Sequence, residues 1–477
     1  MLNQVEYRSR DAHELANLVS DDEVSPTELL DAALAAVEEL NPKINAIIHT
    51  FEGRARKAIA AGLPQGPFRG VPFVLKDLLA DVAGEPSSSG SRYCAGYTPL
   101  LDSELSARYG RAGLVIFAKT NTPEFGGSVT TEPSLYGPTR NPWDLSRSAG
   151  GSSGGSGAAV GARLVPMAHG NDGGGSLRIP GSANGAFALK PTRGRNPTGP
   201  NFGEFWGGLV EEHAITRTVR DSAALLDATS GPDVGSPYRA PAPLRPFLEE
   251  TRTAPGRLRI GVSSRPPSGV PIDPACQKAV ELTSRLLAEL GHDVEDASPS
   301  FDHERMGAAL VAVIAVSYLL TVEDRQTELG RPPQPEELER VIWHRLDLAR
   351  TMSPSDYARA IRDLHRTGRQ FNRFFLDYDV HLTPTLAKPP QPLGTFDMNS
   401  DDVAAYLGAL YSYIPFTAVY NATGNPACSV PMYWSDAGLP IGVQLGAGFG
   451  REDILFRLSA QLETARPWRD RCPKGAL

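Results

Sequence analysis

The sequence predicts an α/β fold, and three observations predict it. Two short apolar runs, Gly70-Val-Pro-Phe-Val-Leu-Lys76-Asp77 and Gly113-Leu-Val-Ile-Phe-Ala-Lys119, lack the alternation of half-exposed strands and read as strands buried on both faces. Segments of helical period stand between such runs along most of the chain. The composition agrees: 477 residues, 41% hydrophobic and 21% charged, match folded globular chains and exclude disorder, collagen and coiled coil.

The elements follow in chain order. Ser25-Pro26-Thr27-Glu28 is a capping box with proline at the first helical position. Leu29, Leu30, Ala33, Leu34, Val37 and Leu40 then repeat at helical spacing until Asn41-Pro42, where the helix is expected to stop. The two apolar runs come next, the first placing Lys76 at a strand end. Residues 126 to 201 are rich in Gly, Ser, Asn and Pro, and helical patterning resumes from Arg217 to Leu226. Prolines 232, 237, 241, 243, 246 and 255 make 231–255 an extended surface connection. Beyond it, a strand at Leu258–Val262, a helix from Pro274 to Leu290 and a strand near Val294 restore the alternation. Residues 304–375 read as mostly helical. Strands at Val380–Pro384 and Ile441–Leu445 precede a last helix near Arg451.

Several function classes drop out on charge and spacing. With 47 Lys and Arg against 55 Asp and Glu, the net charge of -8 lacks the basic footprint of a nucleic-acid binder. Cys94, Cys276, Cys428 and Cys472 form no C-x-x-C pair, which fits a reducing cytosol better than a disulfide framework or zinc ribbon. The first residues run into charged sequence without an apolar signal region, so a cytoplasmic protein is expected. Residues 306–322 carry no charge and just reach the short limit for a bilayer span. Gly307, Ser317 and close charges at Glu304, Arg305, Glu323 and Asp324 make a buried helix the better reading, with no membrane partner.

Two glycine-serine clusters hold the chemistry: Ala149-Gly-Gly-Ser-Ser-Gly-Gly-Ser-Gly157 and Asn171-Asp-Gly-Gly-Gly-Ser-Leu-Arg-Ile-Pro180. A flexible linker, tight turns and a phosphate cradle are the plain alternatives. No Gly-Lys-Ser/Thr ends either cluster, so the P-loop pattern fails. Gly150-Gly-Ser152-Ser-Gly154 formally satisfies G-x-S-x-G, a match that so biased a stretch gives almost free. A serine hydrolase needs a nucleophile, a base and donors aimed at the developing oxyanion. Gly173, Gly174, Gly175 and Ser176 can supply the first and last together, since glycines leave backbone N–H groups free to turn inward. His169 is the only histidine near these clusters and reads as a packed residue. No histidine spacing suits a metal, and no cofactor is implied.

Lys76 in Val-Leu-Lys-Asp, the Gly-Gly-Ser-Ser-Gly-Gly-Ser run with Ser152, and Ser176 in Gly-Gly-Ser-Leu-Arg-Ile-Pro together resemble the amidase signature family. Lys119-Thr-Asn-Thr-Pro-Glu124, Tyr136-Gly-Pro-Thr-Arg-Asn-Pro-Trp143, Leu189-Lys-Pro-Thr192, Asn421-Ala-Thr-Gly-Asn-Pro-Ala427 and Gly438-Leu-Pro-Ile-Gly-Val-Gln444 agree with it. Thr130-Thr-Glu-Pro133 and Ala168-His-Gly-Asn-Asp172 resemble in particular its 6-aminohexanoate-cyclic-dimer hydrolases, which act on nylon oligomers. The resemblance implies a central mixed, twisted sheet covered by helices on both faces. It implies one amidase domain over 1–477, with core 20–230 and 379–465 and a variable helical cap over the substrate at about 300–375.

The resemblance also implies a Ser-Ser-Lys triad. Ser176 attacks the amide carbonyl, Ser152 follows a cis peptide after Gly151 and relays the proton, and Lys76 is the base. Backbone N–H groups of Gly173, Gly174, Gly175 and Ser176 form the oxyanion hole, and Ser153, Asp172 and Arg178 support it. Gly126 lines the substrate cavity. Many members carry a bulkier residue where this chain has Gly173, so the pocket shape is expected to differ here. An unperturbed lysine titrates near 10.4, and a base at neutral pH needs a desolvated amine, a shift of about three units or roughly 4 kcal/mol. The implied activity is amide hydrolysis through an acyl-enzyme on small apolar alkyl, aryl or nylon-type amides, with esters and carbamates (urethanes) open to the same route. Residues 306–322, the helical region to about 375 and the loop from Tyr411 to Phe416 are expected to set the substrate. The glutaminase subunit of a tRNA-dependent amidotransferase and a silent binding protein of the same fold are the alternatives, and a homodimer is left open.

Overall fold

Eleven strands of the computed structural model, which describes residues 2–474, join in one mixed sheet. In chain order they are β1 (Ile47–Thr50), β2 (Pro72–Lys76), β3 (Val115–Thr120), β4 (Met167–Asp172), β5 (Phe187–Lys190), β6 (Glu211–Thr216), β7 (Arg259–Val262), β8 (Asp293–Asp296), β9 (Val380–Pro384), β10 (Ala427–Trp434) and β11 (Pro440–Ala447). Across the sheet the order is β1-β3-β2-β4-β6-β5-β10-β11-β9-β7-β8. β2 pairs in parallel with β3 and β4, and β7 with β8 and β9; the remaining pairs are antiparallel. Every residue of β2, β4, β5, β6, β9 and β11 is buried, so none of them shows the alternation of a half-exposed strand: β2 is an apolar run up to Lys76, whereas β4 and β6 bury polar side chains.

Helices flank the sheet on apolar faces. The helix Pro26–Ile44 starts on the expected capping box and sinks Leu29, Leu30, Ala33, Ala36 and Leu40 into a cluster with Val74 and Phe117. Each leucine so buried contributes about 1.5–3 kcal/mol. The helix runs past Pro42, where the sequence led us to expect its end. Proline's fixed φ is itself helical, so the residue sits in the last turn at the loss of one N–H bond. Asn45 then closes the helix in left-handed geometry, and the Asn41 side chain accepts from the N–H groups of Ala46 and Ile47. On the other half of the sheet, helices Pro274–Glu289 and Glu452–Ala465 bury Cys276, Leu287, Leu455, Leu458 and Leu462 against β9 and β11. The connection 231–255 is irregular apart from a short helix at Phe247–Glu250.

The uncharged stretch lies in one long helix, His303–Leu329, apolar and long enough by composition to cross a membrane. The helix expected to be buried is so along one face: Leu310, Val313, Tyr318 and Val322 point into the protein while Leu320 is 55% exposed. That face, with helices Arg340–Arg350 and Pro354–Phe371, builds a third apolar cluster that includes Phe125, Ile179, Trp206, Leu209 and Val210. These last residues flank the two glycine-serine loops.

Candidate active site

Lys76 ends β2 and has no solvent-accessible surface. Its Nζ donates to Ser152 Oγ at 2.6 Å and to Asn171 Oδ1 at 2.6 Å. Burial pushes the amine down to about 7, against the pull of the Asp172 and Glu212 carboxylates, so it is half neutral at neutral pH. The parallel pairing of β2 with β4, at Val74 and Ala168, brings the lysine alongside the segment that leads into Asn171 and the second glycine cluster.

The first cluster is not a linker. Gly154–Gly161 is a buried helix, and Ser152 sits just before it, 2% exposed, after a cis Gly151–Ser152 peptide. Gly151 is required by close approach, since a Cβ there would lie 2.5 Å from the Thr130 carbonyl oxygen. Gly126 faces the same hydroxyl, and its Cβ would lie 3.2 Å from Ser152 Oγ. Ser153 ties the two clusters together: its N–H donates to the Ser176 carbonyl at 3.2 Å and its Oγ to the Asn171 carbonyl at 3.1 Å.

The second cluster wraps a buried ion pair. Asp172 accepts from Gly175 N–H at 2.7 Å, from Leu177 N–H at 3.1 Å, and from both Nε (2.9 Å) and Nη2 (2.8 Å) of Arg178. Burial alone would raise this carboxyl, but the Arg178 guanidinium and the Asn421 amide hold it well below the carboxylate range. Arg178 is anchored in turn by the Thr417 carbonyl (2.9 Å), Gln444 Oε1 (2.7 Å) and Asn421 Oδ1 (2.7 Å). Gly175 adopts φ +136°, a conformation that a side chain rarely takes.

The expected oxyanion donors are corrected in one respect. The Gly175 N–H is taken by Asp172, whereas those of Gly173, Gly174 and Ser176 make no hydrogen bond among the described residues. A Cβ on Gly174 would meet nothing within 4 Å, so this glycine faces open space, and Ser176 is the partly exposed serine of the set. The space beside Gly173 is filled: a Cβ would meet Trp206 at 2.8 Å and Val210 at 2.9 Å. Lys76 and Ser152 are hydrogen-bonded, but no hydrogen bond joins Ser152 Oγ to Ser176 Oγ. Among the described residues no cluster of His, Cys, Asp and Glu is suited to a metal ion.

Residues 28–456 match the family model described as Amidase. The chain belongs to the amidase family. A 6-aminohexanoate-cyclic-dimer hydrolase of Paenarthrobacter ureafaciens is 40% identical over 478 residues, covering 98% of this amidase and 96% of that protein. One from Pseudomonas sp. (strain NK87) is 39% identical with the same coverage. Among solved structures, a 6-aminohexanoate cyclic dimer hydrolase complexed with substrate has a TM-score of 0.92 at 38% identity, over 98% of this chain and 99% of that one. A bacterial aryl acylamidase of the amidase signature family has a TM-score of 0.87 at 28% identity, over 96% of each chain. This amidase is thus a hydrolase acting on carbon-nitrogen bonds, with the mixed, helix-flanked sheet of its relatives.

Sequence reasoning missed part of the amidase's site. Asn171, second acceptor for Lys76, stood in the glycine cluster without a role, and Asn421 and Gln444 stood in family-like stretches without one. Thr417, whose Oγ1 donates to the Gly174 carbonyl at 2.6 Å, carried no signal. The expected loop from Tyr411 to Phe416 is partly helix: Tyr411 to Tyr413 form the last turn of the helix Val403–Tyr413, and the Tyr411 hydroxyl accepts from Arg345.

Proposed function

We propose that this amidase hydrolyses small apolar alkyl or aryl amides, nylon-type oligomers among them, through a Ser-Ser-Lys triad and an acyl-enzyme. The observation that carries this reading is the 2.6 Å hydrogen bond from a fully buried lysine, its amine brought down to about 7, to Ser152. Ser176 attacks the carbonyl carbon while its proton passes by Ser152 to Lys76, and the N–H groups of Gly173, Gly174 and Ser176 receive the oxyanion. Ser152 then protonates the leaving nitrogen, which could not depart as an anion. Water reverses the route. Esters and carbamates (urethanes) fit the same acyl-enzyme chemistry. Ser153, Asp172 and Arg178 hold the loop, and Gly126 lines the cavity beside Ser152.

The preference for apolar substrates is supported by what surrounds the loops. A cavity of about 520 Å³ is lined by Leu78, Phe125, Phe202 and Phe205 together with polar and charged residues, Asp81, Asp324, Arg325 and Glu328 among them. Leu78, which lines this cavity, and the Ser152 hydroxyl both lie beside Gly126. Trp206 and Tyr318 stack edge to face at 5.4 Å between the long helix and Gly173. We read the chain as one domain that acts alone, in the cytoplasm. The test is a release assay on the purified chain with aliphatic, aryl, cyclic and carbamate substrates and glutamine. Turnover of the apolar amides without a partner is expected. Glutamine as the preferred substrate would overturn the reading in favour of an amidotransferase glutaminase, and no turnover would favour a silent binding protein.

A further inference from the structure

His169 and Glu212 form a fully buried pair that the proposed chemistry does not use. His169 lies on β4 two residues before Asn171, so both side chains project from the same face of the strand. In the antiparallel register of β4 with β6, Glu212 lies opposite Asn171, and therefore diagonal to His169. The two chains meet accordingly, with His169 Nε2 3.0 Å from Glu212 Oε2. The other ring nitrogen, Nδ1, lies 3.2 Å from the backbone nitrogen of Lys76. A backbone N–H can only donate, so Nδ1 must be the acceptor, and the proton of the neutral ring must be on Nε2, where it donates to Glu212. Burial and the nearby Lys76 and Lys119 push His169 well below its ordinary range, in keeping with a neutral ring. One strand thus holds both ends of the lysine: His169 its backbone N–H, Asn171 its Nζ.

We infer that Glu212, acting through His169, is a positioning residue for Lys76, selecting the one imidazole tautomer that can anchor the end of β2. The inference rests on the reading of Lys76 as the base. Without the pair, the buried Lys76 N–H has no acceptor and the strand end is free to shift, and a misplacement of about 1 Å costs on the order of 100-fold in rate. Neither residue touches substrate in this account, so the loss falls on kcat.

The test compares Glu212→Gln, Glu212→Leu and His169→Phe. The glutamine carbonyl still accepts from Nε2, so that variant should keep kcat within about threefold of wild type, while Glu212→Leu and His169→Phe lose on the order of 10- to 100-fold with KM within about twofold. A kcat for Glu212→Leu equal to wild type, or a Glu212→Gln variant as poor as Glu212→Leu, would overturn the inference. Should the leucine variant fail to fold, ¹⁵N NMR of histidine-labelled wild type decides: His169 is expected as the neutral Nε2–H tautomer, and an Nδ1–H ring or an imidazolium at pH 7 overturns it. Lys76→Met separates the two readings. If it stays active, the base assignment fails; if it is inactive while Glu212→Leu turns over normally, only the role of Glu212 fails.

Discussion

Replacing Lys76 with methionine should nearly abolish turnover and at the same time stabilise the protein at low pH. The amine is held near 7 in the folded chain against 10.5 in the unfolded one, mainly by burial. A shift of that size corresponds to about 5 kcal/mol of lost stability at about 1.4 kcal/mol per unit, so the native lysine is a burden. The folded pKa is lowered, so in this window the unfolded chain binds more protons. The full penalty applies below pH 7 and fades as pH rises from 7 towards 10.5. Methionine fills similar volume without it, but leaves Asn171 Oδ1 and Ser152 Oγ without the lysine donor, a cost of roughly 1–3 kcal/mol. The variant should therefore be more stable than wild type by roughly 2–4 kcal/mol at pH 6, and the advantage should shrink by about 3 kcal/mol by pH 9.5. Urea unfolding of both proteins at the two pH values measures the difference. A stability difference that does not change with pH would refute a lysine that is buried and neutral.

Other outcomes follow from the same geometry. Asp172→Asn leaves the buried Arg178 guanidinium uncompensated, and thermal unfolding should show a loss of about 3–5 kcal/mol. Gly151→Ala should destabilise by about 1–3 kcal/mol, because the new methyl meets the Thr130 carbonyl, whereas Gly174→Ala should leave the Tm unchanged and lower kcat/KM, because its methyl enters open space beside Ser176. Trp206→Ala removes the wall next to Gly173; activity on aryl and long alkyl amides should fall by more than that on short ones, as read from kcat/KM across the series.

The sheet strands were legible where burial left unbroken apolar runs, as in β2 and β3. β4 was not, because its residues Met-Ala-His-Gly-Asn-Asp carry the polar groups that hold Lys76 and the loop, and a functional strand violates the apolar pattern. The helix Gly154–Gly161 was hidden for a related reason: its glycines are there for close packing, against their low helical propensity. Lys76, Ser152 and Ser176 stood out as candidates because short local motifs carry them. The partners of Arg178 at Thr417, Asn421 and Gln444 were not assigned, being 239 to 266 residues away along the chain, where only the folded sheet brings them in. Pro42 was misplaced because a proline in a last turn and one after it look alike in sequence.

The rate at which a sulfonyl fluoride labels wild-type protein, followed by mass spectrometry as a function of pH, tests the account most directly. Modification of Ser176 alone, at a rate rising through a midpoint near 7, is the expected result. A label on another serine, or a rate indifferent to pH between 5 and 9, would contradict it.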